Sequence, residues 1–326
     1  MKDVAALAGV SLSTVSRVVN NSPVDPALAG RVHEAVRRLG YRRDAAAAGL
    51  RRADRASASV GLIVDDVANP FFSAVHRGLE DVARARGVLI FAGSSDDSAA
   101  QERELVTSFS AHGVDGLVIV PAGDDHRYLE RERDAGVPIV FLDRPPQRFV
   151  ADTVLSDNAG GMRSAAEHLL AAGHTRIAYL GDRARVWTAA ERLAACRGIV
   201  SSDLVRMNLT DSGAAADAVR ELLDDPDPPT ALLCGQNRIT VGVLYALREL
   251  GLEDRVAVVG FDDVPLGALV SVTVVAQDPV ALGRHAAELL FARLEGDDSP
   301  PRRIVVPTRL IVRGATPVGP RSRQSA

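Results

Sequence analysis

One stretch constrains this chain more than any other: Ala8-Gly9-Val10-Ser11-Leu12-Ser13-Thr14-Val15-Ser16-Arg17-Val18-Val19-Asn20. A short helix starting at Asp3 runs to Ala8 and meets a tight turn at Gly9, where the absence of a Cβ supplies the backbone freedom the turn needs. A second helix opens between Ser11 and Ser13. Val4, Ala5, Ala8, Val15 and Val18 are spaced as two apolar stripes that face each other. This is the pattern of a helix-turn-helix, whose second helix enters the DNA major groove. Ser11, Ser13, Ser16, Arg17 and Asn20 are then left to meet bases and phosphates. Taken alone, the spacing also fits an ordinary helical hairpin. A third helix is expected over residues 26–39, with Val32, Val36 and Leu39 turned inward.

Charge separates this head from the rest. Through Arg55 there are ten basic and five acidic residues, a net of +5, so the remainder carries −9 within a total of −4. A basic module on an acidic body suits phosphate contact at one end only. A merely solvated surface accounts for many arginines but not for their segregation.

From Val60 onward, apolar runs alternate with helical patterns. Strands are expected at 60–64, 88–91, 116–120 and 138–142, then at 177–180, 204–209, 231–234 and 256–259, with a helix starting near Phe71. Fully apolar strands separated by helices imply parallel sheets covered on both faces. Aromatics make up 4% of the chain, so the core must be built from Ala, Val and Leu. Enzymes share such folds, yet the sequence has no Gly-x-Gly-x-x-Gly, phosphate loop, Cys-x-x-Cys or His-Glu-x-x-His. The acid pairs Asp65-Asp66, Asp96-Asp97, Asp124-Asp125 and Asp262-Asp263 fall at strand ends, where doubly wound folds bind ligands; most are read as caps or turns. Cys196 and Cys234 form neither a disulfide framework nor a metal cluster. No apolar run is long enough for a bilayer, and the start lacks an apolar signal segment. The expectation is a cytoplasmic protein, nucleoid-associated when bound to DNA, with no cofactor, metal or membrane partner.

The first half-hundred residues resemble the head of the lac repressor (LacI/GalR) family of bacterial transcriptional regulators. The residues that carry the resemblance are Lys2-Asp3-Val4-Ala5, Ala8-Gly9-Val10-Ser11, Thr14-Val15-Ser16-Arg17-Val18-Val19-Asn20 and Gly40-Tyr41. It continues through most of the chain. It implies an all-α helix-turn-helix DNA-binding head plus an α/β periplasmic-binding-protein-like core of two doubly wound parallel-sheet subdomains. The expected divisions are a head over 1–42, a hinge helix and linker over 43–59, and a core over 60–313. Within the core, 60–156 is mainly the first subdomain and 157–313 mainly the second, with crossovers. A disordered tail is expected over 314–326.

In the head, the resemblance implies base reading by Leu12 and Ser13 at the start of the second helix. Arg17 suits a guanine, with a phosphate contact as its plainer role. Thr14, Ser16 and Asn20 are read as phosphate anchors. Leu50 stands where the family's hinge wedges a leucine into the minor groove. The family's Pro-Asn hinge opening is Arg43-Asp44 here, and a usual Arg is Ala48. Asp44 can still cap the hinge, while Arg43 adds a phosphate contact and Arg51 flanks the wedge. The chain starts a few residues shorter than usual, which raises the question of an upstream start.

In the core, the resemblance implies a small-molecule site between the subdomains, of a kind suited to a sugar. Asn69, Phe71 and Phe72 follow the first strand. Arg144 and Arg192 match ligand-binding arginines, and Asn237 and Asp262 match a polar pair from the second half. Gln277 lies in the crossover, and Trp187 in a loop opposite the first aromatics. Each has a plainer role: Asn237 or Asp262 as a cap or turn, the phenylalanines as core, Arg192 on a solvated helix face. Arg238 replaces a usual Asp; as an extra cation it would favour an acidic or phosphorylated sugar, or else it points to solvent. The stretch 197–205 is about a dozen residues shorter than in the family. The reading is a homodimeric regulator, a repressor, that binds a near-palindromic double-stranded operator under the control of a carbohydrate effector. Its logic, inducer or corepressor, stays open. The alternative is a cytoplasmic sugar-binding module with impaired DNA recognition.

Overall fold

A computed structural model describes residues 1–19, 23–39, 57–263 and 267–313. The chain divides into two compact units, Met1–Ser57 and Ala58–Ala326.

In the first unit, helix α1 (Lys2–Ala8) ends on Gly9, whose left-handed backbone (φ 61°) lets its N–H reach the carbonyls of Ala5 and Ala6. Ser11 opens α2 (Leu12–Val19) by accepting from the Thr14 N–H at 3.1 Å. Asp25 does the same for α3 (Pro26–Leu39), accepting from Ala27 and Leu28. A guanidinium N–H of Arg31, on α3, donates to the Gly9 carbonyl at 3.1 Å, tying the third helix to the turn. Val4, Ala8, Val15, Val18, Val32 and Ala35 form the core. Leu39 departs from expectation: it is 46% exposed at the helix's last position, and Ala35 is buried instead. Gly40, Tyr41, the hinge and the tail lie outside the described residues.

The second unit holds two six-stranded sheets. The first is built from β1 (Ser59–Val64), β2 (Leu89–Ser94), β3 (Gly116–Ile119), β4 (Ile139–Leu142) and β5 (Asp152–Ser156). Its helices are α4 (Pro70–Ala85), α5 (Ala99–Ala111) and the short α6 (Glu130–Asp134). The second sheet contains β6 (Ile177–Leu180), β7 (Val205–Arg206), β8 (Ala231–Cys234), β9 (Ala257–Phe261) and β10 (Thr273–Ala276). It is accompanied by α7 (Asn158–Ala171), α8 (Trp187–Cys196), α9 (Ser212–Leu223) and α10 (Asn237–Leu250). The chain then crosses back: α11 (Pro279–Leu294) and β11 (Arg303–Val306) join the first sheet, and β12 (Arg309–Ile311) returns to the second.

The strand orders are β11-β5-β4-β3-β1-β2 and β12-β10-β9-β8-β6-β7. All pairings are parallel except β10 with β12. Both orders reverse beside β1 or β6, and such switch points open crevices at the carboxyl ends of strands. The crossover helix is held close. A Cβ on Gly78 of α4 would stand 2.1 Å from the Val280 carbonyl oxygen, and one on Gly283 of α11 2.0 Å from that of Val75. Only glycine allows the two backbones this approach.

Several strands differ from the expectation. Of residues 204–209, only Val205 and Arg206 are strand, because a 3₁₀ turn precedes them and Asn208 is left-handed (φ 66°). After α8 the chain reaches this edge strand directly, through a turn at Gly198, so the shortened stretch contains no further α-helix. Strands β5, β10, β11 and β12 were not anticipated. In β5 the ends Asp152 and Ser156 are polar yet buried, and Arg293 neutralises Asp152 through bonds of 2.7 and 3.0 Å. No helix among the described residues is long and apolar enough to cross a membrane.

Candidate functional site

The outward face of α2 carries the head's candidate contacts. Val15 and Val18 are buried, which turns Leu12, Ser13 and Arg17 outward; Leu12 is 47% exposed. Ser13 and Thr14 each lie within hydrogen-bond distance of the Ser11 hydroxyl, at 2.8 Å, so the start of the helix is a cluster of hydroxyls. Ser16 is half-buried. One Arg17 N–H donates to the Pro23 carbonyl at 3.0 Å, which positions its guanidinium beyond the end of α2. Arg37 and Arg38 both pair with Glu34, so two of the head's ten cations share one of its five acids. Asn20, Arg43, Leu50 and Arg51 lie outside the described residues.

In the second unit, loops at the carboxyl ends of both sheets meet in a cleft. Asp97, after β2, is the hub. It receives Arg144 at 2.7 Å from the same lobe, and Arg185 at 2.5 Å and Arg183 at 3.6 Å from the loop after β6. Arg144 also donates to the Pro121 carbonyl at 3.0 Å, and its Nε lies 3.7 Å from Asp143. Burial disfavours the Arg144 charge, but Asp143, Asp97 and Asp65 outweigh it and hold its pKa above the ordinary value. Burial pushes the Asp143 and Asp65 carboxyls up; Arg144 opposes both shifts.

Arg192 is buried rather than on a solvated face. It donates to Asn158 Oδ1 and to the Gly235 carbonyl, each at 2.7 Å, and its guanidinium lies 3.8 Å over the Phe261 ring. Asn237 is the first residue of α10, and its Oδ1 accepts from the Arg238 backbone N–H at 2.7 Å. Its amide N–H donates to Asn69 Oδ1 at 2.8 Å, across the cleft. Asn69 at the same time caps α4 by accepting from the Phe71 N–H. Arg238 is partly exposed but is not spare charge: it pairs with Asp66 of the opposite lobe.

Beside these ties lies an opening of about 310 Å³ lined by Pro70, Phe71, Ala74, Asn237, Asp262, Asp263, Gln277 and Pro279. Asp262 follows β9 with a left-handed backbone (φ 71°) and accepts from Gln277. Asp143, the equivalent residue after β4, is also left-handed (φ 65°). Phe72 is corrected to core, packed with Val75, Leu79 and the α11 side chains; Phe71 belongs to that core and also borders the opening. Trp187 is not in a loop but starts α8, half-buried. The cleft thus unites Asn69, Phe71, Arg144, Arg192, Asn237, Asp262 and Gln277. Among the described residues no group of His, Cys, Asp and Glu is disposed to hold a metal.

Residues 1–44 match the model described as bacterial regulatory proteins, lacI family, and residues 166–316 match the periplasmic binding protein-like domain. The chain is 30% identical to the HTH-type transcriptional regulator KdgR of Bacillus subtilis, over 96% of both proteins. The chain belongs to the lacI family. The lac repressor dimer bound to operator and the anti-inducer ONPF has the same lacI-family fold, with a TM-score of 0.83 over 98% of each chain at 25% identity. The transcriptional regulator CelR–cellobiose complex is 30% identical, with a TM-score of 0.68 over 98% of this chain and 99% of that one.

Against this lacI-family frame, Asp97, Arg185, Asn158 and Asp66 were missed as organisers of the cleft. The acid pairs at strand ends were a visible signal. What sets Asp97 apart is that, buried, it gathers Arg144, Arg183 and Arg185 from two lobes, which a sequence does not display.

Proposed function

We propose that this lacI-family regulator is a homodimeric repressor that reads a near-palindromic operator and releases or seizes it when a carbohydrate binds in the cleft. The observation that carries the reading is the convergence of Asn69, Arg144, Arg192, Asn237, Asp262 and Gln277 beside Phe71. Paired donors and acceptors next to an aromatic ring suit a polyhydroxylated ring. The relatives solved with operator and ONPF and with cellobiose support operator and sugar as the two ligands.

Base contacts are assigned to Leu12, Ser13 and Arg17, and phosphate contacts to Thr14, Ser16 and Asn20. Arg43, Leu50 and Arg51 are assigned to the hinge contact. Two-fold symmetry of the protein would be mirrored in the half-sites. Self-association is supported by the edge strand β2, which leaves Leu89 and Phe91 69% and 43% exposed. A catalytic role is not proposed. The cleft's acids are bound to guanidiniums or amides rather than set beside a nucleophile, and burial pushes the Cys196 and Cys234 thiols up to about 12. A protein acting on bacterial DNA works in the cytoplasm.

The test is selection of bound duplexes from a random library by the full-length protein near physiological salt. The expected result is one near-palindromic site whose affinity shifts with a sugar, by a coupling of about 1–3 kcal/mol. Affinity that depends on salt but not on sequence would overturn the repressor reading and favour a sugar-binding module.

A further inference from the structure

The residues lining the opening differ sharply in chemistry from the arginine-rich hub around Asp97. Phe71, Pro70, Ala74 and Pro279 are apolar. The polar members are two amides, Asn237 and Gln277, and two carboxylates, Asp262 and Asp263, and none of the lining residues is a cation. Arg313 reaches this lining and is already paired there, bound to Asp263 through bonds of 2.6 and 2.7 Å, which leaves Asp262, among the described residues, as the carboxylate without a cation. Arg238 is bound to Asp66, and Arg192 to Asn158 and Gly235.

The unmet need in this lining is for a donor. Gln277 gives its N–H to Asp262, while its Oε1 is buried with no hydrogen-bond partner among the described residues. A buried carbonyl oxygen without a partner carries a desolvation cost that a ligand hydroxyl removes. Asp262 likewise accepts only. Across the cleft, burial raises the Asp143 carboxyl; Arg144 and Arg192 oppose that shift, and the Asp262 charge adds to it. A carboxylate or phosphate on the ligand would add a further negative charge beside these two acids.

Size narrows the class further. The opening's volume of about 310 Å³ lies at the lower end of the range for ligand pockets, which suits one sugar ring rather than two. Resting on the reading that the cleft holds a carbohydrate, we infer that the effector is an uncharged monosaccharide, held through its hydroxyl donors by Asp262 and Gln277. Sugar acids, sugar phosphates and disaccharides are discriminated against. Arg238, the cation that by sequence favours an acidic sugar, is neutralised by Asp66 and leaves that preference without support.

The experiment is calorimetric titration of the full-length protein with D-ribose, D-glucose and D-galactose, their counterparts ribose 5-phosphate, glucose 6-phosphate, gluconate and galacturonate, and cellobiose. One neutral monosaccharide is expected to bind at least tenfold more tightly than its charged counterpart. Asp262→Asn, its fold checked by circular dichroism, should narrow that gap, which a merely structural defect would not do. Gln277→Ala keeps the test readable should Asp262→Asn not fold; it should weaken the neutral sugar at least tenfold. Tighter binding of an acid, a phosphate or cellobiose would overturn the inference and leave the carbohydrate reading standing. Silence across the whole panel would overturn both.

Discussion

Two aspartates show how single residues prepare the cleft. Asp143 and Asp262 each terminate a parallel strand in a left-handed conformation, and each is largely buried. Such a backbone costs a non-glycine residue of order 1–3 kcal/mol, so the surrounding structure must impose it. Asp143 thereby stands where the charges of Arg192 and Asp262, from the other lobe, act on it. Burial holds the Asp143 carboxyl above the ordinary carboxylate range, even against Arg144. An acid whose folded pKa is raised stabilises the fold fully only below its unfolded pKa, and that stability is lost as pH rises through the folded value. At neutral pH, the raised pKa of Asp143 therefore opposes folding. Asp143→Asn should melt at a higher temperature than the parent near pH 7, with the difference narrowing as pH falls toward 4. Melts at pH 7 and pH 5 decide this, and a gap that widens on acidification refutes it.

Among elements, the α4–α11 contact is the least forgiving. Gly78 and Gly283 each face the partner helix's backbone carbonyl with no room for a Cβ. Gly283→Ala must push α11 away from Phe71, Phe72 and Val75, at a cost of about 1–3 kcal/mol or more. Gly30 in α3 is the counter-case: no atom lies within 4 Å of its would-be Cβ. Gly30→Ala should stabilise the head by about 0.5–1 kcal/mol, the ordinary helical preference for alanine. Denaturant titrations of the two variants should move in opposite directions. The eight-residue α2 would be marginal alone, since isolated helices this short do not persist in water, and its order comes from burying Val15 and Val18.

At the scale of the whole molecule, charge and closure dominate. The net +5 through Arg55 and −9 beyond it confine favourable phosphate contact to the head and make DNA binding steeply salt-dependent. Within the second unit the lobes are tied by Arg238 to Asp66, Asn237 to Asn69, and Arg185 to Asp97. The first of these pairs is partly exposed, at 40% and 28%, so Arg238→Ala should change stability by only about 0–1 kcal/mol. Its consequence is geometric: the ligand-free variant should have a larger radius of gyration than the parent in small-angle scattering. An unchanged radius would mean that the other ties suffice to hold the lobes.

Elements with a local signal are legible in the chain itself. Gly9 between two apolar stripes, the helix opening at Ser11, and the apolar runs of β1, β3, β4, β6 and β8 each follow from a few adjacent residues. The residue types of the cleft were legible for the same reason, as polar groups standing just after such runs. Tertiary structure decided what depends on partners far along the chain. Strand β5 ends in Asp152, tolerable in a core only because Arg293 arrives 141 residues later. Phe72 faces the core because α11 returns to cover it. Arg238, a free cation by sequence, is neutralised by Asp66, 172 residues away. A charge's effect depends on what stands within a few ångströms, and for these residues only the folded chain brings the neighbour there.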